Sequence, residues 1–206
     1  MIGNADRARR AAVALLVLYA LGGAVATGAA AEAWQPAGTI DGIAMTARPT
    51  GTGFDAYRAT VEVCTGASTL ERFVTDASSF GEWIPYTVEA RQIESGDGAV
   101  RYYVRTDAPW PARDRDMVYR LDSRRSDEAL VIAVTGVPDY LPPQEGAVRM
   151  AGAEGEWRLR PRGDRLEVTF SLAVNPGNAP ARFSNRRLAA TVAGTLNNLT
   201  ERFPCG

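Results

Sequence analysis

Residues 180–203 hold the pattern that most constrains the fold, because they form the only long helical pattern beyond the apolar N-terminus. Apolar side chains recur there every three to four residues, which makes one stripe along a helix. The stripe comprises Leu188, Val192, Leu196 or Thr195, Leu199 and Phe203. Small residues at 189, 190, 193 and 194 accompany it. The helix therefore either closes a packed core or leaves space beneath it.

The chain before this helix is predicted to form a succession of strands, interrupted once by short helices. Strand patterns occupy residues 43–48, 54–63, 88–94, 99–106, 114–125, 130–137, 148–160 and 165–174. Ser68 and Glu71 have the spacing of a capping box, which predicts the start of the first short helix. Short turn sequences, such as the one at 95–98, favour antiparallel pairing of consecutive strands.

Alternation along these strands separates an apolar face from a charged face. The apolar side includes Tyr102, Val104, Met117, Tyr119, Trp157 and Phe170. A sheet with one apolar face needs a cover, and the terminal helix is the only long one available. The sequence therefore predicts an α+β fold in which a curved antiparallel sheet wraps around the C-terminal helix.

Arg115 is an exception on the apolar face, because alternation places it there with Met117 and Tyr119. A buried guanidinium without partners is very unfavourable. One interpretation is a strand-end arginine that stays in contact with water or pairs with Asp114 or Asp116. The other is a cation at the inner end of a cavity, where it meets the polar head of a ligand.

The composition limits the chemistry that the chain can perform. Its 206 residues contain no histidine and no lysine, and only two cysteines. Histidine-based catalytic triads, histidine-ligated metals and Schiff-base lysines are therefore excluded. A formal net charge of -1 gives no general attraction to nucleic acid. We expect a single-domain, non-enzymatic protein without catalytic residues, cofactor or metal.

The N-terminus has the pattern of a secretory signal peptide. Three arginines precede the apolar residues 11–25, and small residues suited to cleavage follow. We expect a signal peptide over residues 1–31, or to 33 for a later cleavage site, and a folded domain over 34–206. The alternative is an uncleaved membrane anchor, since the apolar stretch is nearly long enough to span a bilayer. Either arrangement places the domain outside the cytoplasm.

The two cysteines are Cys64, after a predicted strand, and Cys205, at the C-terminus. In an exported protein, a bonded pair and two free thiols are both reasonable expectations. A bridge between them would attach the end of the last helix to the start of the first one.

Several short motifs together resemble START domains, the StAR-related lipid-transfer modules. In the family's order they are WIP (83–85), DRDMV (114–118), VPDYLPP (137–143), GAVR (146–149) and GEWRL (155–159). With the terminal helix, the resemblance spans about residues 34–203. It implies a helix-grip fold, in which a curved sheet holds the C-terminal helix over an elongated apolar cavity for one lipid. Because signal-bearing relatives are bacterial, it also implies a periplasmic location.

The resemblance implies site residues as well. The family's cavity arginine corresponds to Arg115, but its acidic partner has no counterpart here, since Arg101 and Tyr102 lie near the expected position. Tyr140 and Leu141 correspond to the apolar tip of a mobile loop at the cavity mouth. The expected cavity is lined by Arg115, Tyr102, Val104, Met117, Tyr119, Trp157, Phe170, Leu188 and Val192.

Three functions fit these expectations. The first is binding, and intermembrane transfer, of a hydrophobic lipid, with transient membrane contact. The second is an aromatase/cyclase-like enzyme on the same fold, which the missing histidines disfavour. The third is an interaction protein with a filled core. A cavity on the order of several hundred Å³ favours binding, whereas a packed interior favours the third function.

Overall fold

The computed structural model describes residues 33–93 and 100–206. The expected signal peptide and the turn sequence at 95–98 lie outside the described residues. The described residues belong to one structural unit. Within them, no helix combines the length and the apolar character needed to cross a bilayer.

The described part of the chain contains ten strands in one sheet. They are β1 (Gln35–Ile40), β2 (Ile43–Pro49), β3 (Asp55–Val63), β4 (Thr87–Ile93), β5 (Arg101–Thr106), β6 (Asp114–Arg125), β7 (Leu130–Gly136), β8 (Ala147–Arg149), β9 (Gly152–Arg162) and β10 (Arg165–Asn175). Nine of them run in the order β1-β2-β3-β10-β9-β7-β6-β5-β4, each antiparallel to its neighbours. The predicted antiparallel sheet is therefore confirmed.

Two strands differ from the sequence-based prediction. The short edge strand β1 is almost wholly exposed, so its residues carry no alternating pattern. The single strand predicted over 148–160 is divided, and its first part, β8, pairs in parallel with β6. Between β8 and β9, the Met150 N–H donates to the Asp116 carbonyl and the Ala151 N–H donates to the Asn175 carbonyl, each at 2.8 Å. Two consecutive residues between β8 and β9 therefore hydrogen bond to different strands, the first to β6 and the second to β10.

Three α-helices complete the described structure: α1 (Ala67–Val74), α2 (Phe80–Trp83) and α3 (Ala181–Arg202). The predicted capping box is wrong. The N-terminal cap of α1 is Gly66, whose carbonyl accepts the first helical hydrogen bonds, so Ser68 already lies inside the helix and caps nothing. Glu71 instead accepts a hydrogen bond from Arg125 at 2.8 Å, which attaches α1 to the end of β6.

The long helix α3 packs against β1, β2, β3 and β10. At Gly194, the absence of a side chain brings another segment close to the helix and does not leave a space. A Cβ on Gly194 would lie only 2.7 Å from the Pro85 ring, so the link before β4 packs directly on the helix there. One turn later, the Asn198 amide donates to the Trp83 carbonyl at 2.8 Å. These contacts fix the rotation of α3 about its axis.

A disulfide joins Cys64 to Cys205 across 141 residues of sequence. Beside it, the Cys64 N–H donates to the Phe203 carbonyl at 3.0 Å. The C-terminal end of α3 is thereby attached to the segment between β3 and α1.

Candidate functional site

A cavity of about 200 Å³ lies between α3 and the concave face of the sheet. Side chains of β5, β6, β7, β9, β10 and α3 form its walls, and most of them are apolar. The structure places seven of the nine expected residues on these walls. They are Arg115, Val104, Met117, Tyr119, Trp157, Phe170 and Leu188. The interior is therefore not filled by its inward side chains.

Two expected residues do not line the cavity. Tyr102 lies behind Tyr119, with ring centroids 5.4 Å apart, and its hydroxyl donates to the Thr75 carbonyl at 3.0 Å. Val192 is fully buried in the core beside Leu196. The residues that α3 presents to the cavity beyond Leu188 are instead Thr191, which lay outside the predicted stripe, and Thr195, which was its alternative to Leu196.

The aromatic residues of the cavity wall are themselves well packed. Trp157 and Phe170 are stacked with centroids 3.9 Å apart, and Trp83 adjoins Trp157 at 6.1 Å. Tyr119 is buried, which raises the pKa of its phenol well above the ordinary value, with a smaller contribution from Tyr102. The Tyr119 phenol therefore stays protonated and can act as a hydrogen-bond donor.

Arg115 lines the cavity without forming an ion pair within the described residues. Its Nε donates to the Pro176 carbonyl at 3.4 Å and its Nη1 to the Arg113 carbonyl at 2.5 Å. The two acidic neighbours are engaged elsewhere, since Asp114 pairs with Arg105 and Asp116 pairs with Arg149. Its positive charge is thus not neutralised by a carboxylate of the described chain.

The mouth of the cavity is defined here by Tyr86, Asp107, Phe183 and Arg187, which all line it. Tyr86 and Phe183 are 39% and 43% exposed, so this end reaches the surface. Arg115 lies at this end of the cavity. In the β5–β6 ladder it is opposite Thr106, the last residue of β5, which directly precedes Asp107. Of the two interpretations of Arg115, the strand-end position agrees with the structure and the position at the inner end of the cavity does not. The arginine lies near the surface end of the cavity.

The loop expected to cover the mouth lies on the opposite, convex face of the sheet. The Tyr140 ring packs under the Arg101 guanidinium at 4.2 Å, and neither Tyr140 nor Leu141 lines the cavity. Arg149 explains this placement, because it donates to the carbonyls of Pro138, Leu141 and Pro142.

Arg149 is held in turn by Asp116, with Nη2 and Oδ2 3.0 Å apart. Asp116 is wholly buried on the convex side of β6. A buried carboxylate requires a paired cation and satisfied oxygens. The ion pair therefore fixes the 138–142 loop against the convex face, away from the cavity.

A second loop, residues 107–113, does adjoin the mouth. Ala108 and Ala112 line the cavity, while Trp110 between them is 92% exposed. Tryptophan is enriched at protein and membrane interfaces, so this exposed indole beside the cavity mouth marks a candidate contact site.

The chain matches a described protein family over residues 55–203, the polyketide cyclase/dehydrase and lipid transport family. An uncharacterized protein of Pseudomonas aeruginosa is 28% identical over 194 residues, which cover 92% of this chain and 96% of that protein. The STAR-related lipid transfer protein from Xanthomonas axonopodis, whose crystal structure (fragment 25–204) is known, is 30% identical in sequence to this chain. It superposes with a TM-score of 0.74 and covers 83% of this chain and 98% of that one.

Human StAR-related lipid transfer protein 5 shares the fold at 17% identity, with a TM-score of 0.66 and coverage of 82% and 87%. The family match extends from the start of β3 to the end of the terminal helix. These similarities agree with the resemblance to START domains found in the short motifs. The chain belongs to the START-like family of polyketide cyclases, dehydrases and lipid transport proteins.

Proposed function

We propose that this protein binds one hydrophobic lipid in the cavity beneath α3 and exchanges it with a membrane. The observation that carries the proposal is an unfilled, largely apolar cavity whose described lining holds a single uncompensated cation, Arg115, near the mouth. The similarity to proteins named for lipid transfer supports the same ligand class.

The ligand would be bound by burial of its hydrocarbon part. Each buried methylene contributes about 0.8 kcal/mol, and the walls offered by Met117, Trp157 and Phe170 provide apolar contact along the cavity. Arg115 would orient a carboxylate, phosphate or hydroxyl of the head group, because its charge is free for such a partner. A volume of about 200 Å³ lies below the usual range for small-molecule pockets. We therefore expect the cavity to expand, by movement of the segments at its mouth, when a lipid enters.

Contact with the membrane would involve the exposed aromatic residues around the mouth. Trp110, Tyr86 and Phe183 lie on segments that also line the cavity. Indole and phenol rings favour the membrane–water interface, where one edge is apolar and the other hydrated. Such contact would direct the cavity mouth towards the bilayer, so that a lipid can pass without crossing bulk water.

We also propose that the protein works outside the cytoplasm, in the bacterial periplasm, either released by signal cleavage or anchored by the N-terminal segment. The disulfide between Cys64 and Cys205 supports an oxidising compartment. In that compartment, lipids that move between two membranes need a carrier.

Binding fits the chain better than catalysis, although the family includes cyclases. The sequence has no histidine or lysine. Among the described residues that line the cavity, the single carboxylate is Asp107, and it is paired with Arg187. General acid–base chemistry near neutral pH has few groups to use here.

The proposal is tested by isolating the full chain from its native membranes and extracting bound lipid for mass spectrometry. We expect one class of lipid in about equal molar amount to the protein. Protein that carries no lipid, and that also fails to take up lipid from vesicles, would contradict the proposal.

Membrane contact is tested separately with Trp110→Ser in a vesicle-binding assay. Val100→Ser is the matched control, because Val100 is also exposed but lies just before the start of β5, at the far end from the mouth. We expect weaker vesicle binding and slower lipid transfer for Trp110→Ser alone, with an unchanged melting temperature. Equal vesicle binding of both variants would contradict a role of Trp110.

A further inference from the structure

Thr195 presents a polar group that the fold itself does not use. The residue lines the cavity and is 1% exposed, yet its Oγ1 has no hydrogen-bond partner among the described residues. Buried polar atoms are almost always paired in native proteins, so an unpaired one requires an explanation.

The other threonines of α3 show that this arrangement is not forced by the helix. The Thr191 hydroxyl, one turn earlier on the same cavity wall, donates to the Arg187 carbonyl at 3.0 Å. The Thr200 hydroxyl, near the end of the helix, donates to the Asn197 carbonyl at 2.7 Å. Both use the helix backbone in the way that is usual for threonine in helices. Thr195 does not, so its hydroxyl remains available.

Thr195 lies deep in the cavity, far from the polar groups at the mouth. It follows Arg187 by eight residues on α3, which corresponds to about 12 Å along the helix axis. Val192, Leu196 and Leu199, all fully buried, surround it on the helix. Thr87 Oγ1, on the lining of the same cavity, is also buried and unpaired within the described residues. A ligand oxygen that reaches Thr195 would find its hydroxyl available as a partner.

We propose that the ligand is an elongated amphiphile with a second oxygen, a hydroxyl or carbonyl, remote from its head group, and that Thr195 hydrogen bonds this oxygen. The inference rests on the proposed function, because it assumes that a lipid occupies the cavity with its head near Arg115. A plain hydrocarbon end would leave the Thr195 hydroxyl unpaired in the bound state as well. An oxygenated end would satisfy it, which makes the hydroxyl a determinant of specificity.

The test uses the full chain and two graded series of probes, straight-chain fatty acids and their ω-hydroxy counterparts, with affinity measured by calorimetry. At the chain length that reaches Thr195, we expect the ω-hydroxy acid to bind about tenfold more tightly than the plain acid. Thr195→Val should abolish this preference and keep the affinity for the plain acid. Because the valine removes an unpaired hydroxyl, the variant should fold with an equal or higher melting temperature.

Thr191→Val is the matched control, since it makes the same change on the same wall at a hydroxyl that is already bonded. We expect it to keep the preference for the ω-hydroxy acid. Equal binding of both series at every chain length, or a preference that survives in Thr195→Val, would overturn the inference while leaving lipid binding intact. Binding of neither series would instead count against the proposed function.

Discussion

Arg187 on α3 lies against the ring of Tyr86 across the cavity mouth, with its guanidinium carbon 3.7 Å from the ring centroid. The same guanidinium donates to the carbonyl oxygen of Asp107 at 2.6 Å and to its carboxylate. Tyr86 directly precedes β4 and Asp107 directly follows β5. One side chain of the helix therefore joins both segments that face it at the mouth.

Arg187→Gln should accelerate ligand release, because it removes contacts that hold the mouth closed. An exposed cation–π contact and an exposed ion pair contribute up to about 1 kcal/mol each. We expect release roughly 5- to 30-fold faster, measured by stopped-flow transfer of a fluorescent fatty acid to vesicles. Arg186→Gln is the control, since Arg186 is the exposed neighbour of Arg187 on the helix. Equal release rates in the two variants would show that these contacts do not limit exchange.

Arg115→Leu should alter which head groups are retained more than it alters stability. Within the described chain the arginine bonds only two carbonyls, so its loss should cost about 1–2 kcal/mol of unfolding free energy. Mass spectrometry of extracted lipid and thermal melting measure the two effects. Arg105→Leu serves as control, because Arg105 pairs with Asp114 and does not line the cavity. Unchanged lipid selectivity together with a large loss of stability would make Arg115 a structural residue.

The sheet and the terminal helix could be predicted because their signals are local. On β6, Met117 and Tyr119 are two residues apart, and both face the cavity as expected. On the other face, alternation places Asp116 among charged residues but does not show whether it is buried. Asp116 is buried by Arg149, which lies 33 residues later in the sequence. This ion pair depends on the parallel pairing of β8 with β6, and alternation along one strand carries no information about that pairing.

The side of α3 that faces the cavity could not be predicted for a similar reason. Spacing alone identified Leu188 but did not distinguish the core face at Val192 from the cavity face at Thr195. The rotation of the helix is fixed by contact of Gly194 with Pro85, a residue over a hundred positions away. The hydroxyl most relevant to specificity was therefore hidden within an apolar stripe.

Removal of the disulfide by Cys64→Ser with Cys205→Ser should destabilise the fold without changing the cavity. The bond closes a long loop across 141 residues, for which the loss of stability is typically about 2–5 kcal/mol. Urea unfolding measures the difference. Reductant should lower the stability of the wild type to that of the double variant and leave the variant unchanged. A wild type whose unfolding is insensitive to reductant would contradict this prediction.

Alkaline pH should destabilise the protein through Tyr119. Burial raises the pKa of this phenol above its ordinary value of 10.0, so the folded state keeps a proton that the unfolded state loses. The stabilisation is complete below about pH 10 and falls by about 1.4 kcal/mol per pH unit above it. Urea unfolding from about pH 9 to about pH 12, followed with the ultraviolet absorbance of tyrosinate, measures this slope. Tyr119→Phe should reduce the slope, and an identical slope in that variant would assign the alkaline loss to other groups.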